Sequence, residues 1–288
     1  MERTRPVGWA REVGRTLRAS PAFASALVLA LTAAAFNGLL VALMALRLDA
    51  LLPDPFAQMG HFTEAHHRTH DLIFGLLFLP TLIGVLAQFR RPSRNVGPML
   101  MALGPTIGLG LTVALTLTLW GNVQVLQPPW LMVGAAVLIA TGLHPAGRDF
   151  PDAFRLGRAS PPMLAATGLA AIPLTGFAAT NLRLQGTVAD DHAAAGHYGF
   201  MAAFALTVIA LALLASLRPV GWKLTAGVAA LLPTLLAATS IAYPEATSSL
   251  SLSWAAAAIA WSLAFSATAQ LVAHPRRQRT QGSHRRIL

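Results

Sequence analysis

Cysteine is missing from all 288 residues, which excludes disulfides, thiolate-held metals, iron–sulfur clusters and cysteine nucleophiles at once. Charge is scarce as well. Asp, Glu, Lys and Arg make up 11% of the chain while 55% is hydrophobic, against the roughly one quarter charged that is usual in soluble domains. A water-soluble fold is therefore excluded. The single lysine, Lys223, stands at the edge of an apolar run, so no retinal Schiff base near mid-membrane is expected. A net charge of +10 raises nucleic acid as a partner. The basic residues, however, cap the ends of apolar runs and form no long block or aromatic-interleaved patch. The lipid bilayer is the expected partner and nucleic acid is not; the sequence specifies no protein partner.

Apolar runs are what the chain has in abundance. Eight stand out, at 21–46, 71–89, 96–119, 129–143, 161–180, 196–217, 224–243 and 250–272, most of them near the ~20 residues that a bilayer crossing needs. The fourth is short. Pro80, Pro105, Pro173 and Pro233 fall inside runs, where membrane helices tolerate a kink if neighbours satisfy the freed carbonyl. The first run is too long for the core of a cleavable signal peptide and reads as a retained helix.

Cytoplasmic loops retain Lys and Arg, so the basic residues orient the bundle. Segments 1–19, 90–95, 144–160, 218–223 and 274–288 hold 18 of the 21. The alternate loops hold Arg47, Arg68 and Arg183, together with seven of the eleven acids, Asp49, Asp54, Glu64, Asp71, Asp190, Asp191 and Glu245. With eight crossings both termini are cytoplasmic and the protein belongs in a cell membrane, most simply a bacterial inner membrane.

Laid on itself, the chain repeats. Arg18-Ala-Ser-Pro21 recurs as Arg158-Ala-Ser-Pro161, and Leu46-Arg47-Leu48 as Leu182-Arg183-Leu184. His70 followed by Arg91-Pro92 returns as His197 followed by Arg218-Pro219 at the same spacing, and His144-Pro145 returns as His274-Pro275. The expected fold is thus an all-α integral membrane protein of eight transmembrane helices. They form two tandem four-helix repeats related by a pseudo-two-fold axis along the membrane normal. The divisions are a basic cytoplasmic segment (1–19), the first repeat (20–147), a cytoplasmic linker (148–160), the second repeat (161–275) and a basic cytoplasmic tail (276–288).

Six of the nine histidines, His61, His66, His67, His70, His192 and His197, cluster before or at the start of the second and sixth spans, on the outer side. An acid stands six residues before each repeated histidine, Glu64 before His70 and Asp191 before His197. His66 lies one helical turn from His70 on the same face. Imidazoles with carboxylates suit zinc, iron or copper. The expected metal ligands are His66, His67, His70, His192 and His197, with Glu64, Asp71 and Asp191 as supporting carboxylates or base. His70 and His197, one from each repeat, are also the pair that would supply both axial ligands to a haem. Thr63 and Asp190 are expected to cap the second and sixth spans.

The spacing His61-x4-His66-His67-x2-His70 with His192-x4-His197 resembles the histidine boxes of the membrane di-iron desaturases and hydroxylases. That resemblance implies di-iron oxidation chemistry at His61, His66, His67, His70, His192 and His197. Those families carry more histidines and present them to the cytoplasm, whereas the charge pattern here puts them outside.

Three function classes follow: a metal-dependent or redox membrane enzyme, a transporter or channel for a cation or small solute, and a haem-binding or purely structural membrane subunit. Two smaller features read as packing. Gly104 and Gly108 let helices approach closely, and Asn37 and Thr175 are expected to hydrogen-bond between helices.

The orientation is open to direct test, because the chain has no native cysteine to block. Glu245→Cys should react with an impermeant maleimide on intact cells, and Arg155→Cys only after lysis. The reverse pattern would invert the bundle.

Overall fold

A computed structural model of the protein describes residues 14, 18–45 and 67–274. Among them every regular element is helical. In chain order these are α1 (Pro21–Ala45), α2 (Arg68–Leu77), α3 (Leu79–Gln88), α4 (Val96–Ala102), α5 (Gly104–Trp120) and α6 (Pro128–Gly142). Then follow α7 (Pro161–Thr187), α8 (Asp191–Ala194), α9 (His197–Leu217), α10 (Trp222–Ala242) and α11 (Leu252–Ala273). The linker between α6 and α7 is a chain of 3-10 turns, Gly147–Asp149, Pro151–Phe154 and Leu156–Arg158.

Seven helices or helix pairs are long and apolar enough to cross a membrane. They match seven of the eight expected spans. The fourth, α6, has 15 residues and reaches only about 22 Å at 1.5 Å per residue, short of the ~30 Å hydrocarbon core. It counts as an eighth span only together with the turns at Gly147–Phe154, from which it is bent by 94°. Pro80 and Pro105 do more than kink: each divides its span. α2 stops at Leu77 and α4 at Ala102, with Phe78 and Leu103 making tighter i→i−3 bonds to Gly75 and Leu100. The missing proline N–H and the clash of its ring with the preceding turn account for both breaks. Pro173 and Pro233 lie within continuous helices.

The architecture turns on α9, which is buried over most of its length and packs against α2, α5, α7 and α10. Small residues make this crowding workable. Ala202, Ala203, Ala205, Ala212 and Ala215 are all buried, and a side chain at Gly108 of α5 would meet the Ala203 carbonyl at 2.7 Å. Gly104 faces Thr207 and Leu211 of α9 in the same way, as its spacing with Gly108 leads one to expect. The expected roles of Asn37 and Thr175 do not hold. Asn37 donates to Ala33 of its own helix and Thr175 is exposed on α7. A short amide on a helix finds its own carbonyl one turn back before it reaches a neighbour.

At the end of the bundle opposite the clustered histidines, the α3–α4 and α9–α10 corners meet. The Gly97 N–H donates to the Val220 carbonyl at 2.8 Å. Arg91 and Arg218, each followed by proline, both adopt left-handed backbone, with φ 55° and 59°. For a residue with a side chain that conformation costs roughly 1–2 kcal/mol, and a following proline favours extended backbone instead.

The first of these corners is braced from beneath. His144 accepts at Nδ1 from the Ala146 N–H (3.1 Å) and donates from Nε2 to Gln88 Oε1 (3.1 Å). Gln88 in turn donates to the Asn95 carbonyl, and the Asn95 amide donates to the carbonyls of Ala87 and Arg90. His144 lies between the rings of Phe23 and Phe150. Burial pushes its pKa down from 6.5 to about 4, against the opposing pull of the Pro92 carbonyl and Asp149.

The sign of the pH dependence follows. The unfolded chain takes up a proton on His144 below pH 6.5 and the folded one does not until about pH 4. Stability is therefore full above 6.5 and falls toward 4, by about 3 kcal/mol at most. Denaturation in detergent between pH 8 and pH 4 should show that loss, and His144→Gln should flatten it.

Candidate metal centre

Two chain segments build the histidine end. In the first, His67 immediately precedes α2, and His70 and Asp71 occupy its first turn. In the second, Asp190 accepts the Ala193 N–H at 2.8 Å and so caps the four-residue α8. Gly196, at φ 76°, then turns the chain into α9 at His197. A side chain at Gly196 would meet the Gln124 carbonyl at 2.9 Å, so only glycine fits this turn. Asp190 was expected to cap the sixth span. It caps α8 instead, because the chain forms a separate turn of helix before α9 begins. His61, Thr63, Glu64 and His66 lie outside the described residues.

α2 packs along α9, which brings four histidines from the two segments into one quartet. His67, His70, His192 and His197 are buried, none more than 5% exposed. The His67 and His192 rings stack at 4.1 Å, His70 lies edge-on to His192 at 5.0 Å, and His70 and His197 are 5.3 Å apart. His67, His70 and His192 each offer one nitrogen, and the three lie within 4.8 Å of one another. Three nitrogens so placed could hold a metal ion, to which imidazole binds at ~2.0–2.1 Å.

Asp191 holds two of these rings. Its Oδ2 is 3.1 Å from His67 Nε2, and its Oδ1 is 3.0 Å from His192 Nδ1. An ionised carboxylate only accepts, so His67 carries its proton on Nε2 and His192 on Nδ1. The lone pairs at His67 Nδ1 and His192 Nε2 are thereby turned away from Asp191. This is the carboxylate–histidine arrangement that orients ligands in metal sites. The partial burial of Asp191 raises its pKa, but the hydrogen bond from His67 and the neighbouring His192 outweigh it and hold the carboxyl well below its usual range. With His67 Nδ1 accepting, His197 Nδ1–H donates to it at 3.0 Å. That leaves His197 Nε2 facing Asp71 Oδ1 at 4.0 Å.

Asp71 is 2% exposed, and neither of its oxygens has a hydrogen-bond partner among the described residues. A buried carboxylate without donors is costly unless positive charge stands nearby. The neighbouring cation is Arg68, itself buried. Tyr198 completes the wall: its hydroxyl donates to Asp190 Oδ2 at 2.8 Å, and its ring lies against His192 and His70.

Of the expected site residues, His67, His70, His192, His197, Asp71 and Asp191 are thus brought together. Arg68 and Tyr198 were missed. Each had a signal. Arg68 breaks the pattern of basic residues by standing among the acids of the segments otherwise poor in Lys and Arg, and Tyr198, one of two tyrosines in the chain, adjoins His197. A haem does not fit this arrangement. A porphyrin plane must lie clear between its two axial rings, and the rings of His67 and His192 pack against those of His70 and His197.

Beneath the quartet the bundle is sealed. Phe74 of α2 stacks on Phe200 of α9 at 4.2 Å and meets Phe78 edge-on, with Ile73, Leu77 and Phe204 fully buried around them. Among the described residues no ionisable side chain is buried between this layer and His144. No family model, no curated protein and no solved structure matches the chain. The likeness to the di-iron desaturases and hydroxylases therefore stands on histidine spacing alone.

The role of Asp191 is open to test by nitrogen-15 resonances of the imidazoles. The wild type should show His67 as the Nε2–H and His192 as the Nδ1–H form. With its pKa depressed, the Asp191 carboxylate is in place above the ordinary 3.8 and its stabilisation is lost only as the pH falls below that value. Asp191→Asn, whose amide must turn a donor toward one ring, should mix the tautomers at neutral pH.

Proposed function

We propose that this protein is a membrane-integral metalloprotein holding one transition-metal ion at its extracytoplasmic end. The observation that carries the reading is the convergence of His67, His70 and His192 within 4.8 Å in a buried pocket where Asp191 fixes two of the rings. His197 is the adjacent fourth imidazole and Asp71 the buried carboxylate behind it. His66 and Glu64 are proposed to join from the segment before α2. The donor set of neutral imidazoles suits zinc, iron or copper in the divalent state, and no thiol is available to favour a softer ion.

Three imidazoles around one ion leave a coordination position for water or substrate, the arrangement of catalytic rather than structural zinc. Bound there, the ion would polarise a substrate or activate water, or cycle between oxidation states if it is copper or iron. The chain's own part is to orient the rings through Asp191, to hold the site against bulk water through Tyr198 and α8, and to close it from below with Phe74 and Phe200. That apolar floor favours chemistry at the outer face over passage of the ion through the bundle, because an ion path needs polar lining.

The same reading takes the chain as two tandem four-helix copies about an axis along the membrane normal, with both termini cytoplasmic in a bacterial inner membrane. The pairing of His70 with His197 and the left-handed conformation shared by Arg91 and Arg218 support the duplication. The distribution of basic residues supports the orientation.

The reading is tested by metal analysis and cobalt or zinc titration of protein purified without chelators. One equivalent is expected to bind. His70→Ala and His192→Ala should each weaken binding at least 100-fold, while His274→Ala should leave it unchanged. Sealed vesicles containing the protein should show no metal flux. A wild-type protein that takes up no ion would overturn the reading, and metal flux that His192→Ala abolishes would turn it into transport.

A further inference from the structure

The linker between α6 and α7 leaves apolar side chains uncovered at the end of the bundle. Phe154 is 57% exposed and Leu156 77%, as open as Ile172 near the middle of the α7 span, at 75%. One exposed leucine is ordinary on a protein surface. What gives these two a meaning is the depth at which the linker is held.

Both ends of the linker are tied to the ends of candidate spans. At its start His144 donates to Gln88 at 3.1 Å, the last residue of the span Arg68–Gln88. At its end the Ser160 N–H donates to the Ser216 carbonyl at 2.8 Å, one residue before the span His197–Leu217 closes. Between these ties, Phe150 and Ala153 belong to one apolar cluster with Val96, where the span Val96–Trp120 begins. The turns at Gly147–Phe154 run at 94° to α6. The linker thus lies across the bundle at the level where three spans begin or end. With 15 residues, α6 reaches only about 22 Å of the ~30 Å hydrocarbon core, so a helix that starts at one headgroup layer delivers the chain to the linker before it reaches the other. The backbone is prepared for that depth. From Gly147 to Ala159, seven N–H groups donate to the carbonyl three residues back, and groups removed from water have to be satisfied internally in this way. Arg155, between the two apolar residues, pairs with Asp152 at 2.9 Å.

We infer that the linker is a membrane-surface strap whose partner is the lipid itself, with Phe154 and Leu156 inserted at the boundary between headgroups and acyl chains. Apolar side chains of elements that lie in the plane of a membrane occupy this layer. On this placement α6 crosses alone and the strap, instead of a further turn of helix, makes up its missing length. The inference does not depend on the metal reading or on which way the bundle faces.

The test exploits the absence of native cysteine. Phe154→Cys and Leu156→Cys are each spin-labelled with a nitroxide in the full chain, in vesicles of phosphatidylethanolamine and phosphatidylglycerol. Relaxation of the label by oxygen, which concentrates in hydrocarbon, is compared with relaxation by a water-soluble nickel chelate. Ile172→Cys gives the lipid-facing reference and Glu245→Cys, at an exposed loop position, the aqueous one. Labels at 154 and 156 should lose the nickel contact seen at 245 and keep oxygen contact, at a depth shallower than 172. Nickel contact equal to that at 245 would put the linker in water and overturn the inference. Loss of contact with both reagents would overturn it as well, because protein, from a second copy or from elsewhere in the chain, would then cover these residues. Both side chains are exposed, so the variants should unfold in detergent at the wild-type temperature. A variant that unfolds early would place its side chain in protein packing, against the strap.

Discussion

The close approach of α2 to α9 is the constraint on which the histidine end depends. Their first turns bring His67, His70 and Asp71 against His192, His197 and Tyr198, and no single segment of the chain could assemble that set. The approach is made possible lower down. Alanines on α9, with Gly104 and Gly108 facing it from α5, let this helix sit in the middle of the bundle with neighbours on every side. Once the backbones are that near, the polar groups at the ends have no bulk water to fall back on. They must satisfy one another, and the bonds among Asp191, His67, His192 and His197 are the result.

The two ends of the bundle meet this demand in opposite ways. At one, acids and imidazoles converge and leave a buried carboxylate without a donor among the described residues. At the other, one histidine is fully engaged and held neutral, and its network serves a corner of exposed guanidinium groups. A histidine is therefore no guide to function by itself in this chain. His144 has both ring nitrogens committed to Ala146 and Gln88, whereas His67 and His192 each give one nitrogen to Asp191 and His67 turns the other to His197.

Much of this was legible in the sequence, because helices long and apolar enough to cross a bilayer announce themselves by length and the cluster by its run of histidines. His67, His70, His192, His197, Asp71 and Asp191 could all be named from position and chemistry. What the sequence hid was contact. Nothing in it tells that Asp191 bridges two rings from different halves, because that depends on the four-residue α8 and the glycine turn at Gly196. The same turn displaced Asp190 from the cap it was expected to make. The breaks before Pro80 and Pro105 were also hidden, since a proline in an apolar run is compatible with a kink or with a full interruption, and neighbouring packing decides which. Asn37 misled for a simpler reason: one turn of its own helix offered a nearer acceptor than any adjacent helix.

The aromatic layer of Phe74, Phe78, Phe200 and Phe204 has an electrical consequence. In a bilayer the potential drops across the dry, low-dielectric part of a protein and very little across regions in contact with water. In a bilayer that layer would leave the quartet, at the first turns of α2 and α9, on one side of the drop. A charge that arrives at the histidines would cross almost none of the membrane field, so its occupancy would follow the composition of one compartment and stay indifferent to voltage.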